Sequence, residues 1–381
     1  MKNVDIKFRI FLCILFFYFW RNIMFWMSMV TYKEQGHDVF IYLSLTIIWG
    51  LCLSYIFSYR YLIDKSSIHK ISFAWFIAMF VVLAYNRDPL SAYFKCLLWP
   101  LVFESVYICS QVYNNIGKYF RYLFTALVIM GAMYFFEAMI FMGFEGASNM
   151  VYFVILAVPF LISTGNQKSN MLYLIIATGL ALLSLKRSMI LAFILFWAIH
   201  YLVAIVQKGK IIQAVLVGSL FAFAGMSVYQ YVDDFSGGNI SKRMEKEDVT
   251  NGRDAIYEST LLMIQNTTID HKILGNGHNG VKQDSILDIS AHNEWLEVIY
   301  DYGYIVLLVY ALLWIYMIRK WITLYKTRSE YFDAYSLCIC IWAVMSMVSQ
   351  LILYVSYVIY LFMFLAYIES RTRKNHSLCI S

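Results

Sequence analysis

Apolar runs separated by short charged clusters organise this chain. They fall near 10–30, 38–58, 71–85, 92–110, 121–142, 150–164, 171–185, 188–206, 211–232, 292–318, 335–349 and 351–368. A helix that crosses a bilayer needs about 20 apolar residues, fewer where protein surrounds it. The pattern therefore predicts an all-α polytopic membrane protein of about twelve transmembrane helices, with ten as the alternative. The last two runs are one stretch too long for a single crossing, and the expected break is near Ser349-Gln350. Lys186-Arg187 interrupts the stretch 171–206 and marks a membrane face. With only three prolines, Pro89, Pro100 and Pro159, the helices are expected to be mostly continuous.

Lysine and arginine in the short segments set the orientation. With the N-terminus inside, eighteen positive residues fall on inward segments, including Lys2, Arg60, Lys118, Lys208, Arg319 and Arg371. Only Lys33, Arg87, Lys186 and Arg187 fall on short outward loops. Both termini are then cytoplasmic, and the one long loop, 233–291, lies on the outer side within a single integral membrane domain, 1–381. Lys2, Lys7 and Arg9 precede a run with no small-residue cleavage site, so 10–30 is expected to be a retained span rather than a signal peptide.

Composition sharpens this picture in two ways. Charged residues are 14% of the chain, against about 25% in soluble domains, so a water-facing fold of this length lacks the polar surface it needs. The net charge of +6 is scattered among loop anchors with no basic stripe, which argues against a nucleic-acid partner. The seven cysteines lie in expected spans or the C-terminal tail, none in the long loop, and form no CxxC motif.

Candidate chemistry gathers in and beside the long loop. Thr250 or Asn251 can cap a helix carrying Ile256, Tyr257, Thr260, Leu261 and Ile264 on one face, with Arg253 in its first turn. A cation there opposes the helix dipole, which points to an anionic ligand; contact with lipid phosphates is the alternative. Gly275-Asn276-Gly277 is a tight turn whose backbone N–H groups can cradle a phosphate, although it is not a P-loop. The spacing of His271, His278 and His292 matches no familiar metal-ligand pattern.

His292 opens a span at the water–lipid boundary, where a neutral imidazole can take a proton from a sugar hydroxyl. Asn293 follows, and Glu294, Glu297 and Asp301 then form an acidic stripe. The stripe either orients His292, binds acceptor hydroxyls, or pairs with arginines for structural reasons. Lys186 and Arg187 lie on the same outer face, where two arginines and a histidine suit a diphosphate and a nucleophile. Lys95, Glu104 and Glu137 are expected to be packing ion pairs or cavity lining.

These residues resemble the O-antigen polymerase and O-antigen ligase superfamily of bacterial inner-membrane glycosyltransferases. Ser184-Leu185-Lys186-Arg187-Ser188 is similar to that family's Ser-Arg turn, and Gly252-Arg253 with Leu274-Gly275-Asn276-Gly277 to its loop motifs. His292-Asn293-Glu294-Trp295-Leu296, running into Gly303, resembles its His-Asn-x-x-Leu run; Val306 stands where a second glycine is frequent.

The resemblance covers roughly 170–318 and implies a GT-C-like helical glycosyltransferase without a nucleotide-sugar site, metal or other cofactor. In the bacterial inner membrane that it implies, the outer side, and the loop 233–291 with it, is periplasmic. Its donor is an oligosaccharide on undecaprenyl diphosphate, among membrane lipids, with a chain-length regulator as a further partner. Arg187 and Arg253 then bind the diphosphate, and His292 activates the acceptor hydroxyl or holds the donor in line. Lys186, Gly275, Gly277, Asn293, Glu294 and Glu297 are the expected substrate-binding residues. Repeat-unit polymerisation is the leading expectation, and ligation of finished chains to lipid A-core the alternative. A transporter or flippase usually shows internal repeats and Gly/Pro-broken helices, which the sequence lacks. A non-enzymatic assembly subunit makes no sequence demands.

Overall fold

A computed structural model describes residues 5–32, 38–63, 66–113, 115–147, 150–165, 167–184, 186–208, 212, 253–286 and 288–378. The expected span 211–232, the first part of the long loop, and Leu185, Thr250, Asn251 and Gly252 lie outside the described residues, 212 apart.

The other eleven expected runs each coincide with a helix or a helix pair. In chain order these are α1 (Ile6–Tyr32), α2 (Val39–Tyr59), α3 (Ser67–Tyr85), α4 (Leu90–Cys96) with α5 (Leu98–Val112), and α6 (Ile116–Ala147). Then come α7 (Val151–Ile155) with α8 (Val158–Thr164), α9 (Gln167–Leu183) and α10 (Arg187–Lys208). The loop contributes α11 (Arg253–Asn266), α12 (Ile269–Leu274) and α13 (Gly280–Asp284), and the chain continues through α14 (Glu294–Lys326), α15 (Phe332–Val348) and α16 (Val355–Leu378). The break expected at Ser349-Gln350 separates α15 from α16. No strand occurs among the described residues.

Among the described residues, five helices are long and apolar enough to cross a bilayer alone, or six if the α4–α5 pair, bent by 40°, is one span. That is fewer than the twelve expected. Val151–Thr164, Ser169–Leu183, Arg187–Val203 and Phe332–Val348 are apolar but shorter. Val151–Ile162 and most of α15 are buried, where fewer apolar residues suffice.

The prolines break runs that the sequence reading left whole. Pro100 has no N–H to offer the Cys96 carbonyl one turn back, and Trp75 Nε1 donates to that carbonyl instead, at 3.2 Å. Pro159 opens α8 just after the α7–α8 break, for the same reason.

Core and periphery separate by composition. Every residue of 355–370 in α16 is buried, and α5 packs against it, with Trp99 stacked on Phe362 at 3.7 Å between ring centroids. The outer helices keep one exposed apolar stripe at helical spacing. Ile129, Met133, Phe136 and Ile140 form it on α6, and Leu308, Leu312, Ile315 and Ile322 on α14. Stripes of this size unpartnered in water are costly; against lipid tails they cost nothing. The fold is that of a helical membrane protein.

One bundle end collects α11–α13 with the ends of α3 and α15 and the start of α14. Arg21 on α1 pairs there with Asp38, the N-cap of α2, at 2.5 Å. Away from it, the half-buried Glu104 pairs with His69 at 2.7 Å, as expected of a packing pair, whereas Glu137 is exposed on α6.

Candidate active site

The site is built around a broken helix. Within α14, Gly303 has φ 74° and ψ 179°, a conformation essentially restricted to glycine. The carbonyls of Tyr300 and Asp301, just before the break, accept from Asn276 N at 3.0 Å and Gly277 N at 2.9 Å. Asn276 Nδ2 also donates to Tyr300 O. Gly275 (φ 72°, ψ 177°) and Gly303 face each other across this seam. A Cβ on Gly303 would lie 2.3 Å from Ile273 O, and one on Gly275 2.2 Å from Asp301 O.

The turn at 275–277 therefore spends its Asn276 and Gly277 amides on protein carbonyls, and the Gly275 amide on His271 O at 2.7 Å. Its geometry holds the loop against α14 and leaves none of those three amides to cradle a phosphate. The end of α3 closes over it. Asn86 Nδ2 donates to Leu274 O at 3.2 Å, and Asp88 Oδ1 accepts from His278 N at 3.0 Å.

The acidic stripe is also occupied. Glu294 is fully buried; its Oε1 accepts from Tyr310 Oη and from Trp342 Nε1, and its Oε2 from Ile352 N. Glu297 Oε1 accepts from Gln350 Nε2 and, at 3.2 Å, from His292 N. Asp301 Oδ1 accepts from Val281 N at 2.8 Å. Among the described residues none of the three carboxylates pairs with an arginine or lysine. Each pins a loop backbone: Glu294 that of the α15–α16 connection, Glu297 that of His292, ahead of the α14 N-cap, and Asp301 that of the start of α13. Of the alternatives read from the sequence, the orienting one fits Glu297.

Asn293 caps α14, its Oδ1 accepting from Trp295 N at 3.0 Å and Leu296 N at 3.2 Å, and its Nδ2 donating to Met347 O at 3.4 Å. That bonding fixes the chain direction at His292, which adopts φ 52°, unusual for a residue with a Cβ. The His292 ring is exposed at the bundle end.

Two elements bring charge to this ring. Surrounding protein depresses the His292 pKa below its ordinary value, and the positive charges of Arg253 and then Lys186 depress it further. Arg253 is the first residue of α11, and Lys186 immediately precedes α10, its ammonium 5.4 Å from the Tyr152 ring centroid. Tyr152 Oη pairs with Ser188 Oγ at 3.0 Å. Arg187 opens α10 and is exposed; Lys186 is the cation from that turn whose charge bears on His292. Burial and the two positive charges thus favour the neutral imidazole, an arrangement able to accept a proton next to an anion.

The face expected on α11 needs one correction. Thr260 is buried, and Met263 and Ile264 pack against Val281, Ala291 and Tyr300, but Leu261 is exposed. At 100° per residue, Leu261 turns away from the stripe that runs through Arg253, Tyr257, Thr260 and Ile264.

The three histidines do not converge, and no group of three metal-ligating side chains stands close together among the described residues. His271 Nδ1 donates to Gly275 O at 2.8 Å, and His278 Nδ1 pairs with Tyr302 Oη at 2.6 Å. Sequence reading missed Tyr152, Asp88, Trp342 and Gln350. Their partners are 36 to 190 residues away, and no local pattern marks such contacts.

Residues 172–311 match the model of a family described as O-antigen ligase. The matched segment contains Lys186, Arg187, Arg253, the 275–277 turn and His292 through Glu297, and it supports the O-antigen polymerase and ligase superfamily. A search of curated proteins finds no match.

Proposed function

With residues 172–311 matching the family of O-antigen ligases, whose members are glycosyltransferase-like enzymes, we propose that this chain transfers a glycan from undecaprenyl diphosphate to a sugar hydroxyl. The reaction takes place at the bundle end that carries His292, on the periplasmic side of a bacterial inner membrane. The product is a longer O-antigen or related surface polysaccharide, made by joining lipid-linked repeat units. Ligation of the finished glycan to lipid A-core is the second reading, and the matched family accommodates both.

The observation that carries the proposal is that the charges of Arg253 and Lys186, 67 residues apart in the chain, both bear on His292, with the Arg253 helix bonded to the His292 carbonyl through Tyr257. Neutral His292 accepts the proton of the acceptor hydroxyl. The hydroxyl oxygen bonds to the anomeric carbon as that carbon's bond to the diphosphate oxygen breaks. The lipid diphosphate leaves with the bonding electron pair. Arg253 and Lys186, with Arg187 on the same end, stabilise its negative charge where a metal ion would otherwise be needed. Asn293, Glu294 and Glu297 contribute by fixing His292 and the start of α14. The orientation with both termini cytoplasmic and about twelve spans belongs to this proposal, as does the chain-length regulator.

The test is a gel profile of surface glycans from a deletion strain complemented with the wild type, Arg253→Ala or His292→Ala. A polymerase predicts a core bearing a single repeat in the deletion strain, and no ladder from either variant at normal protein level. Bare core with long lipid-linked chains accumulating establishes the ligase reading. A normal ladder from His292→Ala overturns the transferase reading altogether.

A further inference from the structure

We infer that Tyr257 is a positioning residue that latches the loop helix to the His292 backbone and thereby sets the separation of Arg253 and His292. This rests on the transferase reading above and adds a residue to it. Tyr257 Oη lies 2.9 Å from Met347 O, at the end of α15, and 3.3 Å from His292 O, so its hydroxyl proton is shared between carbonyls 90 and 35 residues away. It is a point where α11, His292 ahead of α14 and the end of α15 meet.

Two features make the contact consequential. Arg253 and Tyr257 are four residues apart on α11, so their side chains stand one turn apart on the same face. Fixing the tyrosine hydroxyl therefore fixes where the guanidinium can reach. In addition, His292 is held on its other side, where Glu297 Oε1 accepts its N–H and is itself bound by Gln350. Its peptide groups are thus gripped from both sides, by Glu297 from within α14 and by Tyr257 from the loop, in a left-handed conformation that no glycine relieves. The apolar packing of α11, through Met263 and Ile264, lies two to three turns further along the helix from Arg253.

The charged groups that face His292 are Arg253 on α11, Lys186 before α10 and, through the backbone, Glu297 on α14. Removing the latch moves Arg253 away and leaves the other two in place. Tyr257→Phe keeps the ring and removes only the hydroxyl, so it is compared with the wild type, Arg253→Ala and His292→Ala. Membrane vesicles from the complemented strain, with their own lipid-linked repeats, are assayed for chain growth across pH.

Tyr257→Phe is expected to lower the growth rate ten- to a hundredfold, the cost of misplacing a catalytic pair by about an ångström. It is also expected to move the acidic limb of the rate profile to higher pH, as His292 loses the nearby positive charge of Arg253. A rate within twofold of wild type, with His292→Ala inactive, overturns the latch and leaves the transferase reading intact. A lower rate with an unmoved acidic limb also overturns it, because a merely structural hydroxyl does not change the His292 proton affinity. Normal growth from His292→Ala overturns both.

Discussion

Replacing Gly303 by alanine tests whether the α12–α14 seam is held as described. The residue has φ 74° and ψ 179°, where an L residue costs about 1–3 kcal/mol. The added Cβ would lie 2.3 Å from Ile273 O and 2.6 Å from Gly275 N, both backbone atoms that no rotamer change can move aside. Relief requires α12 and the 275–277 turn to lift from α14. That breaks the bonds from Asn276 N and Gly277 N and strands the Tyr300 and Asp301 carbonyls, at about 1–3 kcal/mol for each buried group left unpaired. Together these terms come to about 3–9 kcal/mol, set against a local docking event rather than the whole bundle. Hydrogen exchange of the detergent-solubilised protein, read on peptides spanning 269–285, measures the effect. Protection there is expected to fall at least about a hundredfold, because each 1.4 kcal/mol is about a factor of ten, while peptides of α5 and α16 keep theirs. Gly179→Ala on α9 is the control; its Cβ meets nothing within 4 Å, and exchange should not change. Wild-type protection at 269–285 in Gly303→Ala would refute the seam and, with it, the role given to both glycines.

Two further predictions follow from the same region. Glu294→Ala leaves Tyr310 Oη, Trp342 Nε1 and Ile352 N without their buried acceptor, at about 1–3 kcal/mol for each group left unpaired; thermal unfolding in detergent should show a large loss, with Glu294→Gln retaining more stability. Burial, with the charge of Lys95 adding to it, holds the His278 pKa down to about 4 from an ordinary 6.5. An unfolded chain therefore binds this proton between those values while the folded chain does not, so stability should fall as pH drops from about 6.5 to about 4. In His278→Gln the unfolding temperature should vary less over that window, and an unaltered slope would show that His278 is not held neutral.

The sequence by itself determined the helices and where the chain's chemistry lies along it. Charge is too scarce for a water-facing surface, and apolar runs of near-span length between basic clusters leave helix in lipid as the way to satisfy every backbone group. The eleven expected runs that fall within the described residues are helical accordingly, and the residues from Lys186 to Glu297 fall inside the matched family segment. Legibility stops where a residue's role depends on partners distant in the chain. Pro100 and Pro159 looked harmless in composition, yet each breaks a run, because a missing N–H matters according to the carbonyl it leaves behind. The Gly-Asn-Gly turn has the form of an anion cradle, but only the seam against α14 shows that its amides are already taken. The carboxylates of Glu294, Glu297 and Asp301 left an orienting, a binding and a pairing role open in sequence, and only the tertiary structure shows the loop backbones, up to 58 residues away, that they hold. That Lys186 and Arg253, from turns far apart in sequence, share one histidine is likewise a decision of the tertiary structure. Hydropathy is written locally, residue by residue, whereas the convergence of charge and the spending of hydrogen bonds are settled only when distant segments pack.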